Sequence, residues 1–201
     1  MGRMMLSLAI SLSLALAGCA TAPQPPAEQI ADACKLLKEN KSWYSALRNS
    51  AKEWGAPMGY QLAVIRQESS CNAKAKAPYG DRKWFGRVQG DRLSSAYGYA
   101  QALDITWDTY RKETGRGGAD RHNFKDSADF VGWYFASAGK RAKLGQYDYK
   151  AHYLAYHEGA SGYLQGTWRN KGWLIDTAGK VATQAARYET QIGNCRALKP
   201  K

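Results

Sequence analysis

The sequence is short of acidic residues, and it has no apolar run long enough to cross a membrane. Of 201 residues, 17 are Asp or Glu and 29 are Lys or Arg, which gives a net charge of +12. This excess indicates an anionic partner, but the basic residues are dispersed rather than gathered in one run, which argues against nucleic acid. The three histidines, His122, His152 and His157, lack metal-ligand spacing and an accompanying cysteine pair. We therefore expect no metal and no other cofactor.

The N-terminus has the pattern of an export signal. Arg3 precedes an apolar, serine-rich run over residues 4–17, which is too short to span a bilayer. The run ends in LAGC at residues 16–19, which resembles a bacterial lipobox. We predict that residues 1–18 are a signal peptide and that residues 19–28 are a lipidated N-terminus, at Cys19, with a Pro-rich tether. Ala20 rather than Asp follows Cys19, which resembles the signal for the periplasmic face of the outer membrane.

The rest of the chain, residues 29–201, fits one domain. Apolar residues recur at helical spacing and no segment alternates as a strand does, so the predicted fold is all-α or mainly α. In one predicted helix Met58, Leu62 and Ile65 form an apolar stripe, and Glu68 follows at its edge. Because burial disfavours the charged form of a carboxyl group, this position suits a general acid.

Three segments share the order and spacing of a family pattern. Residues 65–75 read IRQESSCNAKA, residues 95–101 read SAYGYAQ with Thr106 beyond, and residues 155–159 read AYHEG. Together they resemble the three motifs of soluble lytic transglycosylases (SLT), in the lysozyme-like superfamily. Four features depart from that pattern: an insertion over residues 79–94, Tyr99-Ala100 for the usual Leu-Met, His157 for the commoner Asn, and the acid Glu158. The chain is therefore similar to a divergent lipoprotein branch of the family.

The resemblance implies a lysozyme-like fold with the catalytic Glu68 at the end of a buried helix. It implies cleavage between N-acetylmuramic acid (MurNAc) and N-acetylglucosamine (GlcNAc) in peptidoglycan, with a 1,6-anhydro product and Glu68 acting first as acid and then as base. Tyr156 is the expected hydrogen-bond partner of Glu68. Trp84 and Phe85 in the insertion suggest a lip over the groove. The residues expected to contact substrate are Ser69, Tyr97, Tyr99, Gln101, Tyr156, His157 and Glu158.

Two other functions stay open at this point. A hydrolase on the same fold would need a second carboxylate to hold a water molecule, and the candidates are Asp81, Asp91, Asp104 and Glu158. A non-catalytic lipoprotein would only tether the outer membrane to peptidoglycan. In each case we expect a monomer that has glycan strands as its partner and no nucleic acid.

The cysteines predict one disulfide. Cys34 continues the apolar face of the first helix and Cys195 that of the last, so the two thiols would meet if these helices pack together. Cys71 occupies an apolar position beside Glu68, where a free thiol behaves as a small hydrophobe. We predict a Cys34–Cys195 disulfide with Cys71 reduced.

Overall fold

The computed structural model describes residues 24–81 and 89–198, and within these ranges the chain is mainly α-helical without strands, as predicted. None of the described helices is both long and apolar enough to span a bilayer. The predicted signal peptide, Cys19, Trp84 and Phe85 lie outside the described residues. The helices are α1 Ala27–Ile30, α2 Ala33–Glu39, α3 Lys41–Trp54, α4 Met58–Ser69, α5 Asp104–Thr114, α6 Phe124–Ala142, α7 Tyr149–Gln165 and α8 Gly172–Asn194, followed by a 3₁₀ turn at Arg196–Leu198.

Helix α4 is the centre of the fold. Pro57 precedes it, and the residues from Gly59 to Ile65 are all buried, so the helix is enclosed on more sides than its apolar stripe alone predicts. Its closest neighbour is α8. A Cβ atom at Gly59 would lie 2.6 Å from the carbonyl oxygen of Ala185, so glycine is required for this approach. The Glu189 carboxylate accepts a hydrogen bond from the Gly59 amide. This bond gives a partner to one of the backbone N–H groups that have no acceptor within the first turn of α4.

A second helix pair, α3 and α6, supports α4 from another side. The two helices approach at Gly132, where a Cβ atom would lie 2.2 Å from the Ser50 hydroxyl oxygen. That hydroxyl donates to the carbonyl of Ala128 at 3.0 Å, so the contact is also hydrogen-bonded. Nearby, the rings of Trp43 and Phe124 stack with centroids 3.9 Å apart. This aromatic contact joins α3 to the start of α6.

The two ends of the described chain are joined. Cys34 and Cys195, the pair predicted from the sequence, form a disulfide with their Cα atoms 5.5 Å apart. The Ala33 amide donates to the Gln191 side chain at 2.9 Å, which also holds α2 to α8. Cys71 is a free, fully buried thiol, and burial raises its pKa to about 12. Its environment is therefore that of a packing residue, as the sequence indicates.

Candidate active site

Glu68 is the penultimate residue of α4, at the end that opens onto the surface. The two residues that follow the helix, Ser70 and Cys71, have left-handed φ values of 51° and 60°. Such values are uncommon for residues other than glycine, and they persist only where the surroundings hold them. Here the Ser70 amide donates to the Arg66 carbonyl at 2.8 Å, and the Cys71 side chain is fully buried. The turn after Glu68 is therefore held firmly, and the direction of Glu68 with it.

Glu68 faces a cleft of about 480 Å³. The walls come from α4, from the loop before α5, from α6 and from the middle of α7. A mixed apolar and polar lining of this size is typical of a binding site for a small molecule or a segment of polymer. The lining residues are Glu68, Ala77, Pro78, Ser94, Ala96, Gln101, Ala102, Leu103, Thr106, Phe130, Tyr134, Tyr156, His157, Glu158 and Gly159.

The Glu68 carboxyl has one hydrogen-bonding side chain among the residues that the structure describes. The Tyr153 hydroxyl donates to its Oε1 at 2.8 Å. Burial raises the pKa of Glu68 to about 7, and the Tyr153 hydrogen bond opposes that rise. Desolvation is therefore the dominant cause, and it keeps the carboxyl group partly protonated at neutral pH.

The loop carrying Gln101 is held by its neighbours on both sides. The Gly98 amide donates to the Ala75 carbonyl at 2.9 Å, and the Tyr99 amide donates to the Arg121 carbonyl at 3.2 Å. The Gln101 amide group donates to the carbonyls of Ala75 and Gly98, at 3.0 and 2.9 Å. Gln101 therefore lines the cleft while fixing this loop to the segment that follows Glu68.

A polar network closes the α7 side of the cleft. The Glu158 side chain is only 4% exposed and contacts Lys171 Nζ at 2.7 Å, His157 Nδ1 at 3.0 Å and the Thr167 hydroxyl. Burial alone would raise the pKa of Glu158, but hydrogen bonds from Lys171, Thr167 and His157 outweigh it and lower the pKa to about 2. Glu158 is therefore an anion held in place. At Gly159, φ of 76° and ψ of 155° interrupt α7 and turn the chain along the cleft.

A family model described as "Transglycosylase SLT domain" matches residues 7–195, most of the chain. The chain belongs to the transglycosylase SLT domain family. Neither the curated proteins nor the solved structures contain a match. The family assignment agrees with the three motifs seen in the sequence, and all three surround the cleft: Glu68 from the first, Gln101 from the second, and Tyr156, His157 and Glu158 from the third.

The predicted hydrogen-bond partner of Glu68 in this SLT domain is wrong. Tyr156 lines the cleft, but its hydroxyl donates to the Ala100 carbonyl at 2.7 Å, and Tyr153 contacts Glu68 instead. The two tyrosines lie three residues apart on one face of α7 with their rings stacked. Tyr153 was missed because it lies just outside the third motif, although its i−3 spacing from Tyr156 would have indicated it.

Three other residues expected to contact substrate have structural contacts instead. The buried Ser69 hydroxyl donates back to the Ile65 carbonyl at 3.0 Å. The Tyr99 ring is 3% exposed and meets the edges of Trp43 and Phe124 in the core. Tyr97 lies outside the cleft lining, and its hydroxyl contacts His122 Nε2. His122 Nδ1 in turn lies 2.6 Å from Asp120, so Tyr97 fastens the Gln101 loop to the start of α6.

None of the four acids considered as the second carboxylate of a hydrolase is placed as a free base in the cleft. All 17 acidic residues of the chain lie in the described ranges, and only Glu68 and Glu158 line the cleft. Asp104 pairs with Arg121 at 2.7 Å and lies outside the cleft lining, as do Asp81 and Asp91. Within the described residues no group of three or more His, Cys, Asp or Glu side chains is arranged to hold a metal ion.

Proposed function

We propose that this SLT domain is a peptidoglycan lytic transglycosylase in which Glu68 acts first as a general acid. Glu68 would donate its proton to the glycosidic oxygen between MurNAc and GlcNAc as that bond breaks. A carboxyl group whose pKa is about 7 is available in the protonated form at neutral pH and is still a competent proton donor. Proton transfer of this kind contributes on the order of 10²- to 10⁴-fold to a rate.

The same residue would then act as a base. The N-acetyl group of the substrate stabilises the positive charge that develops on the sugar, as in the glycosidases that rely on substrate assistance. Ionised Glu68 takes the proton of the C6 hydroxyl while that oxygen bonds to C1, which gives the 1,6-anhydro end. The Tyr153 hydroxyl, 2.8 Å from Oε1, stabilises the ionised form between the two steps.

The observation that carries the proposal is that Glu68 is the one acid lining the cleft, among the described residues, whose pKa is raised, to about 7. Glu158 is the other acid there, and with Lys171, Thr167 and His157 bound to it and a pKa of about 2, it is a poor base. An inverting hydrolase needs a second carboxylate as the base for water. This arrangement therefore favours an internal nucleophile over water.

The test is mass analysis of muropeptides released from sacculi by the purified chain. We expect anhydro-muropeptides from the unaltered chain and none from Glu68→Gln, which keeps the shape of the side chain. Glu189→Gln is the matched control, because Glu189 is also a glutamate whose pKa burial raises, but it lies at the other end of α4. Reducing ends in place of anhydro ends would assign a hydrolase. No product from the unaltered chain would assign a binding protein.

We further propose that Cys19 carries lipid and holds the domain at the periplasmic face of the outer membrane. The support is the LAGC sequence at residues 16–19, with Ala20 next. A radioactive fatty acid supplied to growing cells should label the unaltered chain, and Cys19→Ala should abolish the label. Label that persists in Cys19→Ala, or none in either chain, would contradict the lipid attachment.

A further inference from the structure

A basic groove runs along α8 on a part of the surface separate from the cleft. We define it by four cationic side chains: Arg66 of α4, Lys150 of α7, and Lys180 and Arg187 of α8. Two adjoining depressions of about 350 and 610 Å³ form it, and they share Lys180 and Gln184. Asp176 is its single acidic lining residue, so the groove has an excess of positive charge.

These cations are available to a partner. Among the residues that the structure describes, none of the four forms an ion pair, whereas Arg111, Arg116, Arg121 and Lys171 do. Lys150, Lys180 and Arg187 are exposed, and Lys180 and Arg187 lie seven residues apart, so they project from the same face of α8. Arg66 donates to the Tyr188 hydroxyl at 3.3 Å, which steadies its guanidinium.

An unused hydrogen-bond donor lies where the two halves of the groove meet. The Gln184 Nε2 atom is buried and has no hydrogen-bond partner within the described chain. Buried donors are usually satisfied, and Gln184 lines both halves of the groove, so its side chain supplies a hydrogen-bond donor that no other described residue uses.

Gln24, the first residue that the structure describes, lies beside this groove. The Gln24 side chain donates to the Ser70 carbonyl at 2.9 Å, and Ser70 lines the groove. Cys19 lies five residues before Gln24 in the sequence. Because an extended chain spans at most about 3.6 Å per residue, the lipid would be attached within roughly 18 Å of the Gln24 backbone.

The groove and the active site lie on different sides of α4. The groove takes Ala63, Arg66 and Gln67 from this helix and Ser70 from the turn after it, whereas the cleft takes Glu68. At 3.6 residues per turn, Glu68 projects roughly opposite to the middle of that set. A surface bound at the groove would leave the cleft free for a glycan strand.

From these relationships we propose that the basic groove binds the headgroups of anionic phospholipids, so that the membrane holding the lipid anchor also orients the domain. The inference rests on the proposed lipid at Cys19 and is independent of the role of Glu68. Basic residues near an anionic bilayer each strengthen binding by about fivefold, and by less as salt screens them. The groove lies beside Gln24 of the predicted tether and away from the cleft, and this position favours a membrane over a glycan strand as its partner.

The test uses the unlipidated chain that begins at Ala20, which keeps every residue that the structure describes. Binding to vesicles of phosphatidylcholine with phosphatidylglycerol is compared with binding to phosphatidylcholine alone. We expect binding only to the anionic vesicles, weakening as salt rises. Lys180→Glu combined with Arg187→Glu should weaken it more than about tenfold. Lys52→Glu combined with Lys112→Glu makes the same change in charge at exposed residues outside the groove and should retain most of the binding.

Three outcomes would overturn the proposal. They are no preference for anionic vesicles, equal loss in the groove and control variants, and loss of sacculus binding in the groove variant without loss of vesicle binding. The last would assign the groove to peptidoglycan. Cleavage of sacculi in solution by the groove variant should equal that of the unaltered chain, which also shows that the variant folds. Failure of the proposed enzymatic function would appear in that assay and leave the vesicle result intact.

Discussion

The Tyr153 hydroxyl donates a hydrogen bond to Glu68 Oε1 at 2.8 Å and joins α7 to the end of α4. The bond opposes the effect of burial on the Glu68 carboxyl, whose pKa is nevertheless raised to about 7. Burial and the Glu68 contact both raise the pKa of the Tyr153 hydroxyl, so that group stays protonated and remains a donor. The pair therefore sets the balance between the protonated and ionised forms of Glu68 that the proposed mechanism uses in turn.

The first prediction concerns the pH profile of cleavage. Because the acid must be protonated, activity of the unaltered chain should fall on the alkaline side with a midpoint near 7. In Tyr153→Phe the hydrogen bond that lowers the pKa of Glu68 is absent, so the midpoint should move to higher pH while the maximal rate falls. The measurement is the rate of release of soluble muropeptides, taken in steps of about one pH unit between about pH 5 and about pH 9.

Tyr156→Phe is the matched control for this effect. Its hydroxyl bonds to the Ala100 carbonyl rather than to Glu68, so the rate should fall without an equal shift of the midpoint. If Tyr153→Phe moved the midpoint to lower pH, or if both variants moved it equally, Tyr153 would not be the group that sets the pKa of Glu68.

The second prediction is that Glu68 costs stability at alkaline pH. Its pKa is raised in the folded chain relative to the ordinary value of 4.5, so the folded state binds the proton more tightly than the unfolded state does. The resulting loss in the free energy of unfolding is absent below pH 4.5, grows as pH rises, and is complete above about pH 7. Glu68→Gln stays neutral and should therefore be more stable than the unaltered chain at pH 8, by up to about 3 kcal/mol, and nearly equal at pH 4. Denaturant unfolding at the two pH values measures this, and an advantage for Gln that was larger at pH 4 would contradict it.

The sequence predicted the part of the site that depends on local pattern. The apolar stripe ending at Ile65 and the motif around Glu68 are both carried by neighbouring residues, and the structure places Glu68 at the end of a buried helix. The inward positions of Cys34 and Cys195 likewise follow from helical spacing. In each case a periodicity along one helix is enough to locate the side chain.

The other contacts of the site could not be predicted, because they depend on how segments distant in the sequence approach each other. Whether Tyr153 or Tyr156 reaches Glu68 is decided by the offset between α4 and α7, because both tyrosines share one helix face. Lys171 and Thr167 reach Glu158 only after α7 has been interrupted at Gly159, and no pattern in the sequence indicates that pairing. Tyr99 belongs to a motif that borders the cleft, yet it turns into the core because its amide is fixed to Arg121.

The third prediction concerns the disulfide. Cys34 and Cys195 are separated by 161 residues, so their bond closes nearly the whole domain. Replacing both with serine should lower the free energy of unfolding by about 2–5 kcal/mol. In the oxidised chain that begins at Ala20, Cys71 should resist alkylation until the protein unfolds, because the thiol is fully buried and its pKa is about 12. Rapid alkylation of two thiols in the folded chain would show that the disulfide is absent.

The last prediction concerns Gly98, which lies between the segment after Glu68 and the start of α6. Its φ is 75°, and a Cβ atom there would lie 2.1 Å from the Arg121 carbonyl oxygen. Gly98→Ala therefore adds a backbone collision to the cost of left-handed φ, and should destabilise the domain by about 3–5 kcal/mol. Gly115→Ala is the matched control, because Gly115 has a φ of 71° and open space around the position of Cβ. Gly115→Ala should lower the free energy of unfolding by only about 1–2 kcal/mol.

The two glycine variants also differ in their expected effect on cleavage. The Gly98 carbonyl accepts from the Gln101 side chain, and the Gly98 amide holds the segment that follows Glu68, so displacement of Gly98 moves both walls of the cleft. At a temperature where both variants remain folded, Gly98→Ala should lose most of its muropeptide release while Gly115→Ala keeps it. Equal activity in the two variants would mean that the Gln101 loop does not position the cleft, because the substitutions would then differ in stability alone.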